Sequence, residues 1–362
     1  MKKVLYIVST LKKTGPIIVL ANIIKYLDRN KFEPIILTLS PEPNNSMKDH
    51  FHDYLDVRIY TLGLSRIQSL FFASNKLKLF FKENNIDIIH SHGFRADSLT
   101  SKLSNIKNIA TLHNYPFYDY PMKFGKLKGE WMAMLHLKTI KNQNKINIAC
   151  AKTISNEFKQ HNLSLQYIQN GVDTEKFKCL NKDDIYKLKI KLKISSDKKI
   201  FITVGSLISR KDMETVIKGF KLFNSDKTSI LLIAGEGPEK ENLQFISDDN
   251  IVFLGNISNV VEYLQISDCF ISASLAEGLP NTVLEAMACG LPTILSDIPS
   301  HRELYENEKV EIFSIKDDIK LSKLLKIIDL AKQKEISLKL INNHFSAKSM
   351  SEKYQKIYGE NS

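Results

Sequence analysis

Cysteine is scarce, tryptophan scarcer, and a long unbroken apolar stretch is missing altogether. The 362 residues hold four cysteines and one tryptophan. Cys150, Cys179, Cys269 and Cys289 are not paired at metal-ligand spacing, so neither a zinc module nor a disulfide-stapled scaffold is expected, and thiols in a reducing cytoplasm fit best. No run approaches the ~20 apolar residues of a membrane-spanning helix. The opening MKKVLYIVSTLKK has the basic end of a secretion signal. Lys12 and Lys13 interrupt its apolar core, however, and no small-residue cleavage site follows, so VLYIVS reads as a buried first strand. Acidic charge is what the first half lacks. Residues 1–170 carry 24 Lys and Arg against 12 Asp and Glu, a balance of +12, whereas residues 171–362 carry 27 against 28, a balance of −1. A one-sided basic surface suits an anionic partner for that half, a membrane surface or a lipid-phosphate acceptor among them, or else is simply a lysine-rich solvated face. No nucleic-acid module and no basic patch interleaved with aromatics goes with it, so nucleic acid is not expected as a partner.

What the sequence has in quantity is short Ile/Val/Leu runs alternating with helix-period segments. Runs at 3–9, 33–39, 57–61, 86–91, 108–112, 146–150 and 165–169 predict strands in the first half. Runs at 199–205, 229–234, 250–254, 268–272, 292–296 and 309–313 do so in the second. Near-continuous apolar runs imply parallel strands buried on both faces, and two such series imply an α/β protein with two Rossmann-like doubly wound domains. The polar, turn-rich NGVDTEKFKCLNKDD sets the boundary near 170–198, giving an N-terminal domain over 1–170 and a C-terminal domain over 171–344. The last segment, 345–362, gathers Phe345, Met350, Tyr354, Ile357 and Tyr358 on one side of a helix and has no strand of its own to cover, so it is expected to pack back on the first domain.

Residues 274–303, SLAEGLPNTVLEAMACGLPTILSDIPSHRE, carry the strongest chemical signal. Strand 268–272 feeds the loop Ser274–Pro280, and a helix over Thr282–Cys289 follows, capped by Asn281 and stopped by Gly290 and Pro292. Such a loop lies at the carboxyl end of a parallel sheet, where open α/β proteins bind ligands. The helix start, with Gly278, Leu279, Pro280, Asn281 and Thr282, offers amides and a positive dipole end to a diphosphate. Glu277 and Glu285 stand eight residues apart. Along a helix that is ~12 Å, too far for the ~5 Å carboxylate pair of a retaining glycosidase. Two grips on one elongated ligand fit better, Glu285 on ribose hydroxyls and Glu277 on sugar hydroxyls, unless both are ordinary surface glutamates.

A second signal is VGSLISRKDMETVIKGF at 204–220. A strand ends in Gly205, a loop carries Arg210 and Lys211, and Asp212 caps the next helix. Two cations before a helix start make an anion clamp, although a surface Arg-Lys pair would read the same way. Gly235 and Gly237, after strand 229–234, either let backbone approach a base or ribose closely or serve the turn alone. In the first half Gly15 precedes Pro16, which opens a second helix N-terminus. Strand 108–112 delivers His113 to a carboxyl edge, with His90 and His92 ending the strand before it. These are acid–base groups or sugar hydrogen-bond partners, or else satisfied structural histidines.

Taken together these residues resemble glycosyltransferase family 4, the retaining enzymes of GT-B fold. Glu277 and Glu285 match the family's E-x7-E motif in the wording EGLPN…EAMACGLP, and Arg210 with Lys211 matches the pair that contacts the donor diphosphate. NGVDTEKF resembles the interdomain segment, and the terminal helix is similar to the one that crosses back to the first domain. The resemblance implies two domains facing one cleft and a nucleotide-sugar donor, taken here as UDP-linked, on the second. It also implies no cofactor and no catalytic metal, and no DxD stands at an appropriate strand end. By the same resemblance Arg210, Lys211, Glu277 and His113 carry the chemistry, with His113 near the transferring sugar and Gly15 near the donor phosphates. Gly205, Gly235, Gly237, residues 278–282 and Glu285 would complete the donor site. The family often has Gly-Gly where this chain has Gly15-Pro16, and the proline removes one N–H. The acceptor would be a saccharide or a lipid-linked saccharide of a capsule, exopolysaccharide or other surface glycan. Lys123, Lys126, Lys128, Lys138, Lys141 and Lys145 around Trp131 suggest docking of a cytoplasmic enzyme on the inner face of the membrane. The rival readings are a non-hydrolysing UDP-sugar epimerase of like architecture and a non-catalytic subunit. Retention of all four donor-side residues, Arg210, Lys211, Glu277 and Glu285, argues against the latter.

Overall fold

Strand burial on both faces, inferred from the apolar runs, is what the computed structural model displays. It describes residues 1–101, 103, 106–142, 144–194, 197–305, 308, 310 and 312–360. The chain divides into two units, Met1–Gly171 with Ala347–Ser362, and Val172–Ser346. The first unit runs β1 (Lys2–Val8), α1 (Gly15–Lys25), β2 (Phe32–Thr38), β3 (Arg58–Thr61), α2 (Arg66–Asn84), β4 (Ile88–His92), α3 (Phe94–Thr100), β5 (Lys107–Leu112), α4 (Pro116–Phe124), α5 (Lys126–Ile140), β6 (Ile146–Ala149), α6 (Lys152–Glu157) and β7 (Gln166–Tyr167). The second runs α7 (Lys182–Lys191), β8 (Lys199–Val204), α8 (Met213–Phe223), β9 (Ser229–Ala234), α9 (Lys240–Phe245), β10 (Ile251–Gly255), α10 (Val260–Ile266), β11 (Cys269–Ser272), α11 (Asn281–Ala288), β12 (Thr293–Ser296), α12 (Pro299–Leu304), β13 (Ile312–Phe313), α13 (Asp318–Ile327) and α14 (Leu330–His344). The chain then returns to the first unit as α15 (Ala347–Gly359).

Both sheets are parallel, ordered β3-β2-β1-β4-β5-β6-β7 and β10-β9-β8-β11-β12-β13. Counted within each unit the order begins 3-2-1-4-5-6, the doubly wound arrangement whose direction reverses between its first and fourth strands. At those reversals Val4 pairs with Ile88 and Cys269 with Phe201. Alternation along β1 sends Val4, Tyr6 and Val8 to one core and Leu5 and Ile7 to the other. The first of these cores is completed by α1 and by Met350, Tyr354, Ile357 and Tyr358 of α15. In the second unit Phe201, Ile271 and Ile294 pack against Val216, Ile217 and Phe220 of α8 and Leu321 and Leu324 of α13.

Hydrogen bonds lock α15 into its place. Ser351 Oγ donates to Ile23 O at 2.7 Å, Gln355 Nε2 donates to Tyr26 O at 3.0 Å, and Thr111 Oγ1 and Tyr354 Oη lie 2.8 Å apart. Phe345 does not share that helix. It ends α14 in the second unit, where its carbonyl accepts the Val172 N–H at 2.8 Å. Strand ends lie within three residues of the sequence reading, β9 matching it at both ends, and of the run 309–313 residues 309 and 311 lie outside the described residues. Cys150, Cys269 and Cys289 are buried, and the four cysteines form no disulfide. Among the described residues no helix is long and apolar enough to cross a membrane.

Candidate functional site

The reversal in the second sheet puts the loops after β8 and β11 side by side, which is where a doubly wound sheet opens a crevice. The β8 loop closes in a single turn of 3-10 helix, Ser209–Lys211, before Asp212 begins α8. Asp212 stands at the N-cap with a left-handed backbone, φ 46°, but its side chain bonds none of the helix amides; its carboxylate accepts instead from Thr215 Oγ1 at 2.7 Å. The Leu275 N–H donates to Arg210 O at 2.8 Å and Arg210 Nη1 donates to Ala276 O at 2.7 Å, so each loop holds the other. Arg210 Nη1 also donates to Glu277 Oε2 at 3.0 Å, Lys211 Nζ pairs with Glu277 Oε1, and Ser274 Oγ donates to that same oxygen at 2.8 Å.

Two cations on one carboxylate leave one surplus positive charge. Glu277 is only 9% exposed, and burial alone would raise its pKa. The Lys211 and Arg210 charges, with the hydrogen bonds from Lys211 and Ser274, outweigh that and hold it down at about 2. Glu277 is therefore an anion at every working pH, and both its oxygens are committed to neighbours. Beneath it Ser296 Oγ donates to Ser274 O at 2.7 Å, and His301 Nδ1 lies 2.8 Å from Ser296 O. A carbonyl can only accept, so Nδ1 carries the proton. Burial pushes this imidazole down to about 4, and its Nε2 has no hydrogen-bond partner among the described residues. Ser274, Ser296 and His301 were missed as a supporting chain. The motif contains all three, but nothing in their spacing says that three separate strand and helix ends converge.

The glycine pair after β9 makes its close approach to the chain itself. A Cβ on Gly235, whose φ is +154°, would lie 1.8 Å from Gly205 O, and one on Gly237 would lie 2.2 Å from Leu207 O. Gly205 leaves room for the Lys211 stem, whose Cε would be 3.3 Å from an added Cβ. The pair thus seats the β9 loop flush against the β8 loop that carries the clamp. Gly235→Ala is expected to destabilise the second unit by about 3 kcal/mol, as forced overpacking does, and a melting curve checks it.

Helix α11 starts one residue earlier than the sequence suggests. Pro280 is its N-cap, because Pro280 O already accepts the Val283 and Leu284 N–H groups at 3.1 and 3.2 Å, and Asn281 is the first helical residue. Gly278, Leu279 and Pro280 are buried, while Asn281 and Thr282 are half-buried. Glu285 is 8% exposed, one turn further in, and is not a surface glutamate.

His113 and Gly15 belong to the first unit, at the carboxyl ends of β5 and β1. Thr14 is the N-cap of α1, so Gly15 takes the first helical position and Pro16 the second, one place later than expected. His113 is half-buried, with its Nε2 2.9 Å from His92 Nδ1. Burial pushes His113 down to about 4 and keeps it neutral. His90, deeper in the sheet, bridges Tyr358 Oη and Thr111 Oγ1 at 2.7 Å each. Lys145 does not belong to any exposed basic face. It is buried, reaches Asp97 Oδ1 at 3.3 Å and Thr100 Oγ1 at 3.0 Å, and joins a network in which His136 Nε2 meets Asp97 Oδ2 at 3.2 Å. Burial would raise the Asp97 pKa, but Lys145, and after it His136, bring it down to about 2. A lysine at the start of β6 can reach that carboxylate only because α3 lies across β4, which local sequence does not show.

Comparison with known proteins gives the family and the fold. Residues 15–176 match Glycosyltransferase Family 4, and residues 184–345 match Glycosyl transferases group 1. The chain is 28% identical to the O-antigen biosynthesis glycosyltransferase WclY of Escherichia coli over 98% of both chains. It is 29% identical, over 71% of each, to an Escherichia coli UDP-Gal:alpha-D-GlcNAc-diphosphoundecaprenol alpha-1,3-galactosyltransferase. The structure of HepE from Anabaena in complex with UDP-glucose superposes with a TM-score of 0.81 at 17% identity, covering 99% of both chains, a likeness of fold. Two Rossmann-like domains with parallel sheets make this the GT-B fold, and the chain belongs to the group 1, family 4-like glycosyltransferases, enzymes that transfer hexosyl groups.

Proposed function

We propose that the protein moves a hexosyl group from a UDP-sugar, with retention of anomeric configuration, to a lipid-diphosphate-linked saccharide during assembly of a surface polysaccharide. The observation that carries the reading is the Arg210–Lys211–Glu277 cluster at the sheet reversal, with its surplus positive charge beside the first turn of α11. A diphosphate leaving group needs such charge in the transition state. Arg210 and Lys211 take its oxygens, first-turn amides of α11 add their dipole end, and Glu285 holds the ribose. Glu277 presets the two cations and offers its remaining lone pairs to the sugar hydroxyls. Gly15 and His113 serve the phosphates and the transferring sugar from the first domain. With its charge pinned, Glu277 is a poor nucleophile, which supports attack by the acceptor hydroxyl itself on the face the diphosphate leaves. The C1–O(phosphate) bond breaks, the C1–O(acceptor) bond forms, and the hydroxyl proton passes to the departing phosphate. The uridine preference and the lipid-linked acceptor draw on the galactosyltransferase named above and on the UDP-glucose held by HepE. The reading has the enzyme in the cytoplasm, with side chains rather than a metal neutralising the diphosphate.

A thermal-shift comparison of UDP, GDP and ADP with their sugar conjugates tests this. A ligand at a hundred times its dissociation constant should add about 2.7 kcal/mol to the stability of the second unit. UDP compounds should do so undiminished by EDTA. A shift from GDP or ADP conjugates alone would replace the donor, and a sugar product formed without acceptor would point to epimerisation instead.

A further inference from the structure

The helix pair α4 and α5 turns an apolar ridge to solvent that no packing among the described residues uses. On α5, Leu127, Trp131 and Met134 follow at i, i+4 and i+7, one stripe of the helix. They are 85%, 64% and 58% exposed, and Met122 near the end of α4 is 56% exposed. The opposite face of α5 is already committed: Ala133, Leu137 and Ile140 are buried, and His136 is held by Asp97. Gly129 presses directly against the Pro121 backbone, where an added Cβ would lie 2.4 Å away, so α4 is fixed against α5 and the ridge cannot roll inward. An α-helix apolar on two opposite faces is normally covered on both.

Charge says by what. Lys138 continues the apolar stripe at i+11, Lys126 and Lys128 flank Leu127, Lys123 closes α4, and Lys141 follows α5, all exposed. Lys123 and Lys128 extend past the Phe124 ring, with Nζ 5.4 and 5.9 Å from its centroid. Glu130 is the one acidic residue of α5. Apolar side chains along a helix, an indole among them, with lysines at both ends have the make-up of a helix lying in a lipid headgroup layer. We propose that this outward face of α5, with the adjoining end of α4, docks on an anionic lipid leaflet. It extends the lipid-linked acceptor reading by giving the enzyme a way to stay where such an acceptor lies.

Trp131 is the sole tryptophan of the chain, so the intrinsic emission of the intact protein reports on the middle of the ridge. Phosphatidylglycerol vesicles at physiological salt should shift that emission to the blue and carry the protein down on centrifugation, and phosphatidylcholine vesicles should not. A variant with Lys126, Lys128, Lys138 and Lys141 all changed to Gln should lose at least about a hundredfold in vesicle affinity, since each basic residue contributes roughly fivefold. L127S/M134S should abolish the blue shift while keeping its UDP-induced thermal shift, which shows the protein still folded. Emission unchanged by anionic vesicles, or shifted equally by neutral ones, would overturn the proposal. So would a blue shift that grows with protein concentration in the absence of lipid, which would make the ridge a contact between two copies. None of these outcomes touches nucleotide binding in the second unit, so the docking face and the donor site stand or fall separately.

Discussion

Arg210→Ala should lower kcat/KM about a hundredfold, a loss on the order of 3 kcal/mol of transition-state stabilisation. Arg210, Lys211 and Glu277 together carry one surplus positive charge, and removing the guanidinium cancels it. What remains is a Lys211–Glu277 pair that is neutral as a unit and has nothing left over for a departing diphosphate. The fold should survive the change, because Glu277 keeps Lys211 and Ser274 as partners and the Leu275 N–H still donates to the backbone oxygen of residue 210. A melting temperature near that of the parent enzyme, measured beside the rate, separates lost chemistry from lost structure. Arg210→Lys is the informative companion. It keeps the charge but not the planar fork, so it should recover part of the rate and not all of it. Parent-like turnover in the alanine variant would remove Arg210 from the mechanism.

That cluster also shows how far the sequence could be read. Arg210, Lys211 and Glu277 stood out because each lies in the loop after a short apolar run, KIFITV or CFIS, and buried parallel strands announce their own carboxyl ends. Their mutual pairing did not stand out, since 67 residues separate Arg210 from Glu277 and only the adjacency of β8 and β11 closes that gap. Lys145 failed for the same reason in reverse. It sits among surface lysines in sequence, yet its partner Asp97 is 48 residues away on α3, and burial of a charge is decided by that partner. Helix boundaries moved by a residue at Pro280 and Gly15 because a cap is set by which carbonyl first accepts a helical N–H, a backbone matter that side-chain preference only biases. The lysines around Trp131 are legible as a docking face, but the ridge of Leu127, Trp131 and Met134 is not, because α5 carries apolar residues on both sides and only its packing says which side is buried.

Acidification from pH 7 to pH 5 should cost the first unit several kcal/mol of stability and the second unit about 2 kcal/mol. Burial holds His90 down to about 3 and His113 and His301 to about 4, and puts His92 well below its ordinary range. In the unfolded chain each of these rings takes up a proton as pH falls through ~6.5, while in the folded protein it does not. The unfolded state then binds more protons, so stability is greatest above that value and drains away as pH falls toward the folded pKa. One ring with a folded pKa of about 4 or below loses about 2 kcal/mol by pH 5. His90, His92 and His113 form a chain with ring centroids 4.3 and 5.2 Å apart, so beyond burial, repulsion opposes charging more than one of them. Asp97 and Glu277, both held at about 2, act in the same direction but only once pH drops below the ordinary carboxylate range, so the window from 6.5 to 4.5 belongs to the histidines. Calorimetry across that window should show the melting of the first unit falling faster than that of the second, which holds His301. His301→Asn keeps an N–H donor for Ser296 O and has nothing to titrate, so it should flatten the slope of the second unit alone. Two melting temperatures that stay level from pH 7 to 5 would mean these rings are not held neutral in the folded protein.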